Sequence, residues 1–404
     1  MAGRRQFFVL SLYFVAFWNL SKGQDCAWDK DADFPLTPPL LLDSSLKMIY
    51  PVLEGSLRMV RVAAGSTITV ACSGTTISCS RSRGCWREPV LAAQLITGDG
   101  TDNALNELGC VTPHLRACRR TWVPVRCRSW YLHAVGFNIA TTGSFHEFES
   151  ICFDHAAETT LYTKHTLHGA NIIAKDVDPS RPPFKPDTGF FTVEVNTVYT
   201  QASQLALMEQ LLGDSALANQ IINPDQELFM SRGHLSPDAD HVLIAEQDAT
   251  YYFINVMPQW QAFNNGNWKY LEFAGRDLAV AHGTDLTVYD GGWGVLELDD
   301  INGNPVQIYL GLSEGKEVVP APALMYKILH EESTNRAAAV IGINNPHITV
   351  APTPICTDIC SSLTWIDFDI TDLFRGFTYC CTVDDLRAAI PHVPDLGNVG
   401  LLDS

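Results

Sequence analysis

Between Phe153 and Ile355 the sequence contains no cysteine. A stretch of that size without covalent staples has to be stabilised by a hydrophobic core of its own. Past the first two dozen residues no uninterrupted apolar run approaches the roughly 18 residues a helix needs to cross a bilayer, so no membrane span is expected there. Basic residues are scarce: 27 Lys and Arg stand against 45 Asp and Glu, a formal charge of −18. That balance repels a polyanion at long range and by itself argues against a nucleic-acid partner. A local basic patch can still prevail, because exposed-charge fields are cut off within about 10 Å at moderate salt. No N-x-[ST] triplet follows Asn19, so N-glycosylation of the mature chain is not expected. There is no internal repeat and no low-complexity tract.

The first residues do carry a pattern. Arg4 and Arg5 precede the apolar run from Phe7 to Trp18, and the small residues Ser21 and Gly23 follow, the layout of a secretory signal peptide over 1–23. Cleavage after Gly23 leaves 381 of the 404 residues and, with Arg4, Arg5 and Lys22 gone, moves the formal charge from −18 to −21. The protein is expected to be secreted. All 12 cysteines lie beyond the leader: Cys26, Cys72, Cys79, Cys85, Cys110, Cys118, Cys127 and Cys152, then Cys356, Cys360, Cys380 and Cys381. In an oxidising compartment thiols pair, and the even count in each group predicts disulfides within each group. The last four admit three connectivities, among which sequence cannot choose. A zinc site at Cys356, Cys360, Cys380 and Cys381 is the weaker alternative, since no histidine follows at finger-like spacing.

Composition divides the chain in the same place. Over 24–155, short β-type runs such as RMVRVAAGSTITVAC are broken by Gly, Ser and Cys, which predicts a small disulfide-bonded β-rich module. Between Arg81 and Arg128 eight arginines face four acids, a local charge of +4. Five of them, Arg116, Arg119, Arg120, Arg126 and Arg128, crowd around Cys118 and Cys127, and a disulfide there would fix them as a preset basic patch for nucleic acid. A solubilising loop in an acidic protein is the plainer alternative. The second region, 156–404, reads as mixed α+β. QASQLALMEQLLGDSALANQII, with Leu205, Met208, Leu211 and Leu212 at helical spacing, predicts one helix of four or five turns. ATYYFINVMPQ reads as a buried strand, and NNGNWKYLEFAGRDLAVAHG as a helix closed by Gly283. LTVYDGGWGVLEL reads as a hairpin turning near Gly291-Gly292, and PVQIYLGL as a strand.

Residues 229–240, FMSRGHLSPDAD, place a lone histidine behind Ser-Arg-Gly. Alone it is an ordinary turn. Thirty residues later Asn264, Trp268, Glu272 and Arg276 follow at intervals of four. Each such step advances a helical side chain by about 40°, so the four share an arc of about 120°. Trp268 reads as packing, but Asn, Glu and Arg would be an odd core; a solvated face with a Glu272–Arg276 pair is the bland alternative. Cleaving a phosphodiester needs a base for water, a cation to offset developing charge, and a positive group on the phosphoryl oxygens. His234 can be the base. Asn264 with waters suits a hard Mg²⁺, Glu272 can hold those waters, and Arg232 and Arg276 can grip phosphate.

SRGH at 231–234, FINVMPQWQAFNNGNWKYLE at 253–272 and Arg276 together resemble the DNA/RNA non-specific endonuclease family of ββα-metal type, whose signature is DRGH, then N-x-x-P-Q, then N-x-G-x-W-x3-E-x3-R. QDCAWDKDADFP, TLHGANIIAKD, TVYTQASQLALM, SPDADHVLIAEQDATYYFIN and SSLTWIDF are similar to the secreted duplex-specific nucleases of crustaceans, over essentially the whole mature chain. The resemblance implies a ββα-metal nuclease domain over 156–404, with a mixed or antiparallel sheet and flanking helices. It implies an endonuclease dependent on Mg²⁺ or Mn²⁺ that prefers double-stranded DNA as substrate. It makes His234 the general base, Asn264 the metal ligand, Glu272 the organiser of metal-bound water, Arg232 and Arg276 the phosphate contacts, and Asn255 a positioning residue. Ser231 departs from the usual aspartate, which puts local hydrogen bonding in question more than catalysis. A nuclease of the same mechanism acting on RNA, on a DNA–RNA hybrid or on either sugar is the alternative, since chemistry at phosphorus barely depends on the 2′-hydroxyl that such enzymes read elsewhere. A non-catalytic secreted nucleic-acid-binding protein would account for the arginines but not for the His-Asn-Glu-Arg set.

Overall fold

The strand Leu324–Glu331 is buried at every position, which requires cover on both faces of the sheet it belongs to. The computed structural model, which describes residues 26–34, 38–63, 66–71, 94–97, 118–120, 131–139, 144–177, 181–186 and 188–404, supplies that cover. Period-two alternation sends Tyr326 and Ile328 into one core with Tyr379 and Leu386, and Met325 and Leu329 into a larger one with Trp268, Leu271 and Leu278. Among the described residues the sheet has nine strands, in the order Thr378–Cys381, Arg336–Ile343, Leu324–Glu331, Leu286–Trp293, Thr159–Leu167, Ser144–Asp154, Tyr131–Ile139 and Cys118–Arg120, with Gly400–Leu401 added alongside Arg336–Ile343. That last pairing is parallel and the others are antiparallel. The fold is α+β, as the sequence predicts.

On the larger-core face lies a strand–strand–helix unit. Met230–His234 pairs antiparallel with Val256–Trp260, setting Arg232 opposite Pro258 and His234 opposite Val256. The chain then turns through Gln261–Phe263 and a π-type turn, Asn264–Trp268, into the helix Lys269–His282. Gly283 closes that helix in the left-handed conformation. The unit is seated by Trp260, Phe263 and Trp268, each at most 1% exposed. Burying an aromatic side chain contributes on the order of 5 kcal/mol before entropic costs.

Several expectations need correction. The single helix over 201–222 is two, Gln201–Leu212 and Ser215–Ile221. Gly213 takes φ 74° as the C-cap of the first, and Asp214 caps the second through Leu217 N–H, so the apolar spacing runs on while the backbone breaks. The buried strand read in ATYYFINVMPQ begins only at Val256, after a 3-10 turn over Phe253–Asn255. Gly291-Gly292 is not a turn but the interior of Leu286–Trp293. A Cβ on Gly291 would sit 2.4 Å from the Tyr326 ring, and one on Gly292 would sit 2.6 Å from Met257 Sδ and 2.9 Å from Pro322 Cβ. Close packing, not a bend, requires glycine there. PVQIYLGL forms two short strands, Pro305–Gln307 and Tyr309–Ser313, divided at the fully buried Ile308.

Cys356 pairs with Cys381 and Cys360 with Cys380, so the zinc reading fails for these four. Adjacent residues of a strand face opposite ways, and accordingly Cys380 joins the larger core while Cys381 joins the other. Cys152 is also disulfide-bonded. The 155/156 boundary falls between Ser144–Asp154 and Thr159–Leu167, which are paired strands of the main sheet. Outside that sheet the N-terminal residues form two three-stranded sheets: Cys26–Asp29, Leu57–Val62 and Val52–Glu54, and Leu40–Leu42, Thr67–Ala71 and Gln94–Thr97. Lys30, from the short helix Lys30–Asp33, and Arg58, from the first of these sheets, both bind the buried Asp176, and Tyr50 donates to Glu246 at 2.6 Å. Among the described residues no helix is long and apolar enough to cross a membrane.

Candidate active site

Arg232 and His234 are two apart on one strand and share a face. Both reach Phe184: the His234 ring lies 5.0 Å from it and the Arg232 guanidinium 5.9 Å. Tyr251 meets His234 edge-on at 4.8 Å. Nε2 of His234 is buried and has no hydrogen-bond partner among the described residues. Burial lowers its pKa to about 4 against the opposing pull of Asp238, so the imidazole is neutral at pH 7 and able to accept a proton. Arg232 lies among Phe184, Tyr199 and Phe253 at 5.5–5.9 Å, a cation–π setting that restrains the guanidinium.

Ser231 points to the other face, toward the helix. Its hydroxyl donates to the Gln259 carbonyl at 3.0 Å and accepts from Nδ2 of Asn264 at 3.2 Å. Engaging Nδ2 fixes which way the amide points and leaves Oδ1 without a protein partner among the described residues. Asn264 opens the π-type turn, a local widening that recurs at functional positions in helices. The donor set suits a hard cation: one neutral oxygen, open to waters, with a carboxylate further along the helix.

That carboxylate, Glu272, lies 4.0 Å from Arg276 Nη1 and is 15% exposed. Burial raises its pKa to about 8, with Lys327 and Arg276 pulling it down and Asp240 pushing it up. Arg276 is 8% exposed and donates from Nη1 to Asp240 at 2.6 Å, while the other Asp240 oxygen meets His165 Nε2 at 3.1 Å. Burial opposes ionisation of Asp240, yet the His165 hydrogen bond and the charges of Arg276 and Lys327 outweigh it and hold the carboxyl below the usual range. Lys327 is itself buried at 2.5 Å from Asp290. A fourth cation, Lys175, is anchored at 3.0 Å on the Ala239 carbonyl. Burial and then the Arg276 charge lower its pKa. Asp238 acts electrostatically on both His234 and Arg276, which ties the two halves of the site together.

Asn255 is fully buried, and its amide is committed to Ser236 N–H, Ser236 C=O and Thr250 C=O at 2.8–3.0 Å. It brackets the segment behind His234 and presents nothing to a substrate. Trp268 is packing, at 1% exposure. Arg119 and Arg120 lie on the strand Cys118–Arg120, the last of the main sheet among the described residues, opposite Ala134 and His133; Arg116, Arg126 and Arg128 lie outside the described residues. The sequence reading missed Asp240, His165 and Lys175. The acidic run SPDAD was visible, but nothing in its spacing points to an arginine 36 residues away.

The strand–strand–helix unit, with His234 on its first strand, Asn264 at the entry turn and Glu272 and Arg276 on the helix, has the ββα arrangement. A family model described as DNA/RNA non-specific endonuclease matches residues 129–386, and the chain belongs to that family. It is 30% identical over 258 residues to the salivary endonuclease of Lutzomyia longipalpis, covering 63% of this chain and 59% of that protein's length. With the salivary protein Tsal1 of Glossina morsitans morsitans it shares 24% identity over 381 residues, 90% of each. Among solved structures, a chain of the complex titled "Crystal structure of the EndoG/EndoGI complex: Mechanism of EndoG inhibition" aligns at 18% identity and a TM-score of 0.38, over 60% of this chain and 81% of that one.

Proposed function

We propose that this protein is a secreted, divalent-metal-dependent endonuclease that hydrolyses nucleic-acid phosphodiester bonds, with double-stranded DNA as its preferred substrate. The observation that carries the reading is the presence, in one strand–strand–helix unit, of a neutral His234 whose Nε2 has no partner among the described residues and an Asn264 whose amide is turned by Ser231 so that its oxygen is available. Asn264 would hold Mg²⁺ or Mn²⁺, and Glu272 would hold its waters. When bound, the cation supplies charge to offset what builds up on the phosphate and the leaving oxygen.

The protein's own residues do the rest. His234 takes a proton from a water as that oxygen forms its bond to phosphorus. The bridging P–O bond breaks, and the leaving oxygen is protonated from solvent. Arg276, fixed by Asp240, and Arg232 are the phosphate contacts. Secretion is supported by the leader-like first 23 residues and by the disulfides. Incubating the purified protein with duplex DNA, single-stranded DNA, duplex RNA and hybrid, each with and without EDTA, tests both mechanism and preference. Cleavage that survives the chelator refutes the metal role, and faster cleavage of RNA refutes the substrate assignment.

A further inference from the structure

Large apolar side chains stand exposed beside the candidate site. On the helix that carries Glu272 and Arg276, Phe273 is 48% exposed and Tyr270 47% exposed, one turn apart on the same face. Ile173 and Val177, 56% and 83% exposed, flank Lys175. Such residues usually avoid solvent, and a cluster around a site marks a contact surface. Cations are interleaved with them: the Arg276 guanidinium lies 5.0 Å from the Phe273 ring and the Lys269 ammonium 5.4 Å from that of Tyr270. Tyr270 is partly used inside the protein, stacked on Phe368 at 6.3 Å. Phe273 has no ring neighbour among the described residues other than that guanidinium.

Resting on the nuclease reading, we infer that Phe273 stacks against a nucleobase beside the scissile phosphate. Arg276 cannot swing, because Asp240 holds it, so its distance to the Phe273 ring is set in advance. A ring beside the guanidinium that grips a phosphate lies beside that nucleotide's base. Phenylalanine offers a π-face and no hydrogen bond, so the contact ignores base identity, as a nuclease without sequence preference requires. In a duplex the same ring acts as an apolar wedge at a base step. The positive partners suit a polyanion strand better than an apolar protein surface; Asp277, exposed one turn further along, limits how far the backbone can follow the helix.

The test uses the full-length protein and a short duplex with one hydrolysable phosphodiester, the other linkages being phosphorothioates. The bases on either side of that bond are kept or replaced, one at a time, by an abasic sugar. With the wild type, removing the stacked base raises KM about 5- to 150-fold, the range for losing one base–aromatic stack. Phe273→Ala raises KM by a similar factor on the intact duplex and shows no further loss on the abasic one. Phe273→Trp restores both the affinity and the sensitivity to base removal. Multiplying effects of Phe273→Ala and the abasic site, or an unchanged KM in Phe273→Ala, overturns the inference. If the wild type cleaves no duplex, the nuclease reading itself falls.

Discussion

Arg276 donates to Asp240 at 2.6 Å inside a pocket where both side chains are at most 10% exposed. Removing one partner of a buried pair leaves the other uncompensated, which costs about 3–5 kcal/mol. Asp240→Ala should therefore lower unfolding stability by about that amount in urea titration, and should also reduce kcat by freeing the arginine. Asp240→Asn keeps an acceptor and should fall between the two. A variant with alanine at 240 and unchanged stability and rate would show that the pair holds nothing in place.

His234→Ala should lower kcat by about 10²- to 10⁴-fold, the usual worth of a general base, and leave duplex affinity within a few-fold. The depressed pKa of about 4 sets the pH dependence. The reactive neutral form is present above that value and disappears as pH falls through it. At saturating metal, the acid limb of kcat/KM should bend near pH 4 and not near the roughly 6.5 of a solvated histidine. A bend near that higher value would mean that His234 titrates as if exposed.

Glu272 is raised to about 8, so in the metal-free protein it holds a proton at pH 7. Organising metal-bound water as a carboxylate means giving that proton up. Apparent affinity for Mn²⁺, read by calorimetry, should climb up to about tenfold per pH unit toward pH 8 and flatten above it. Glu272→Gln should bind more weakly and show no such slope. A wild-type affinity that is flat from pH 6 to 8 contradicts the assignment.

Asn264→Ala should need at least about ten times more metal to recover activity removed by EDTA, a cost in the range known for deleted ligands and their supports. Ser231→Ala should show a smaller shift in the same direction, because it removes the acceptor that turns the Asn264 amide. Calorimetry with Mn²⁺ on both variants checks this without an activity assay. Equal affinities in Ser231→Ala and wild type would leave Ser231 with no part in orienting the amide.

For a chain this acidic, approach to DNA should depend on the five arginines at 116, 119, 120, 126 and 128. Each phosphate that a side chain no longer neutralises lowers the slope of log K against log salt by about 0.9. Replacing all five with glutamine should flatten the slope by up to about 4.5 with little change in kcat. An unchanged slope assigns the cluster to solubility.

Much of the candidate site was legible because its members are close in sequence. Asn264, Glu272 and Arg276 lie on one helix and its entry turn, and Arg232 and His234 on the first strand of the same strand–strand–helix unit. The Asp240–Arg276 bond, the His165 contact across 75 residues and the Lys175 anchor were not legible, since they exist only once the sheet and the segment between His234 and Val256 are assembled. Gly291-Gly292 misled because glycine marks tight packing as well as tight turns, and only the Tyr326 and Met257 side chains distinguish the two. Gly213 hid a break inside an unbroken apolar rhythm. The strands from 131 to 154 read as part of a separate module because cysteine content changes after them, whereas strand pairing carries across that point.

Gly292 sits where the two-stranded sheet of Met230–His234 and Val256–Trp260 meets the main sheet, against Met257 and Pro322. Met257 is the register partner of Gly233, one residue before the histidine. A single added methyl there would press on the rigid Pro322 ring and on the Met257 side chain, which would have to repack directly behind the strand that carries the histidine. In a saturation scan that selects for activity, position 292 should therefore be as intolerant as the reacting residues, although it is not one of them. Intolerance at such a seat reports alignment of a whole part, and chemical rescue, which can restore a missing base or ligand, should have no effect on it.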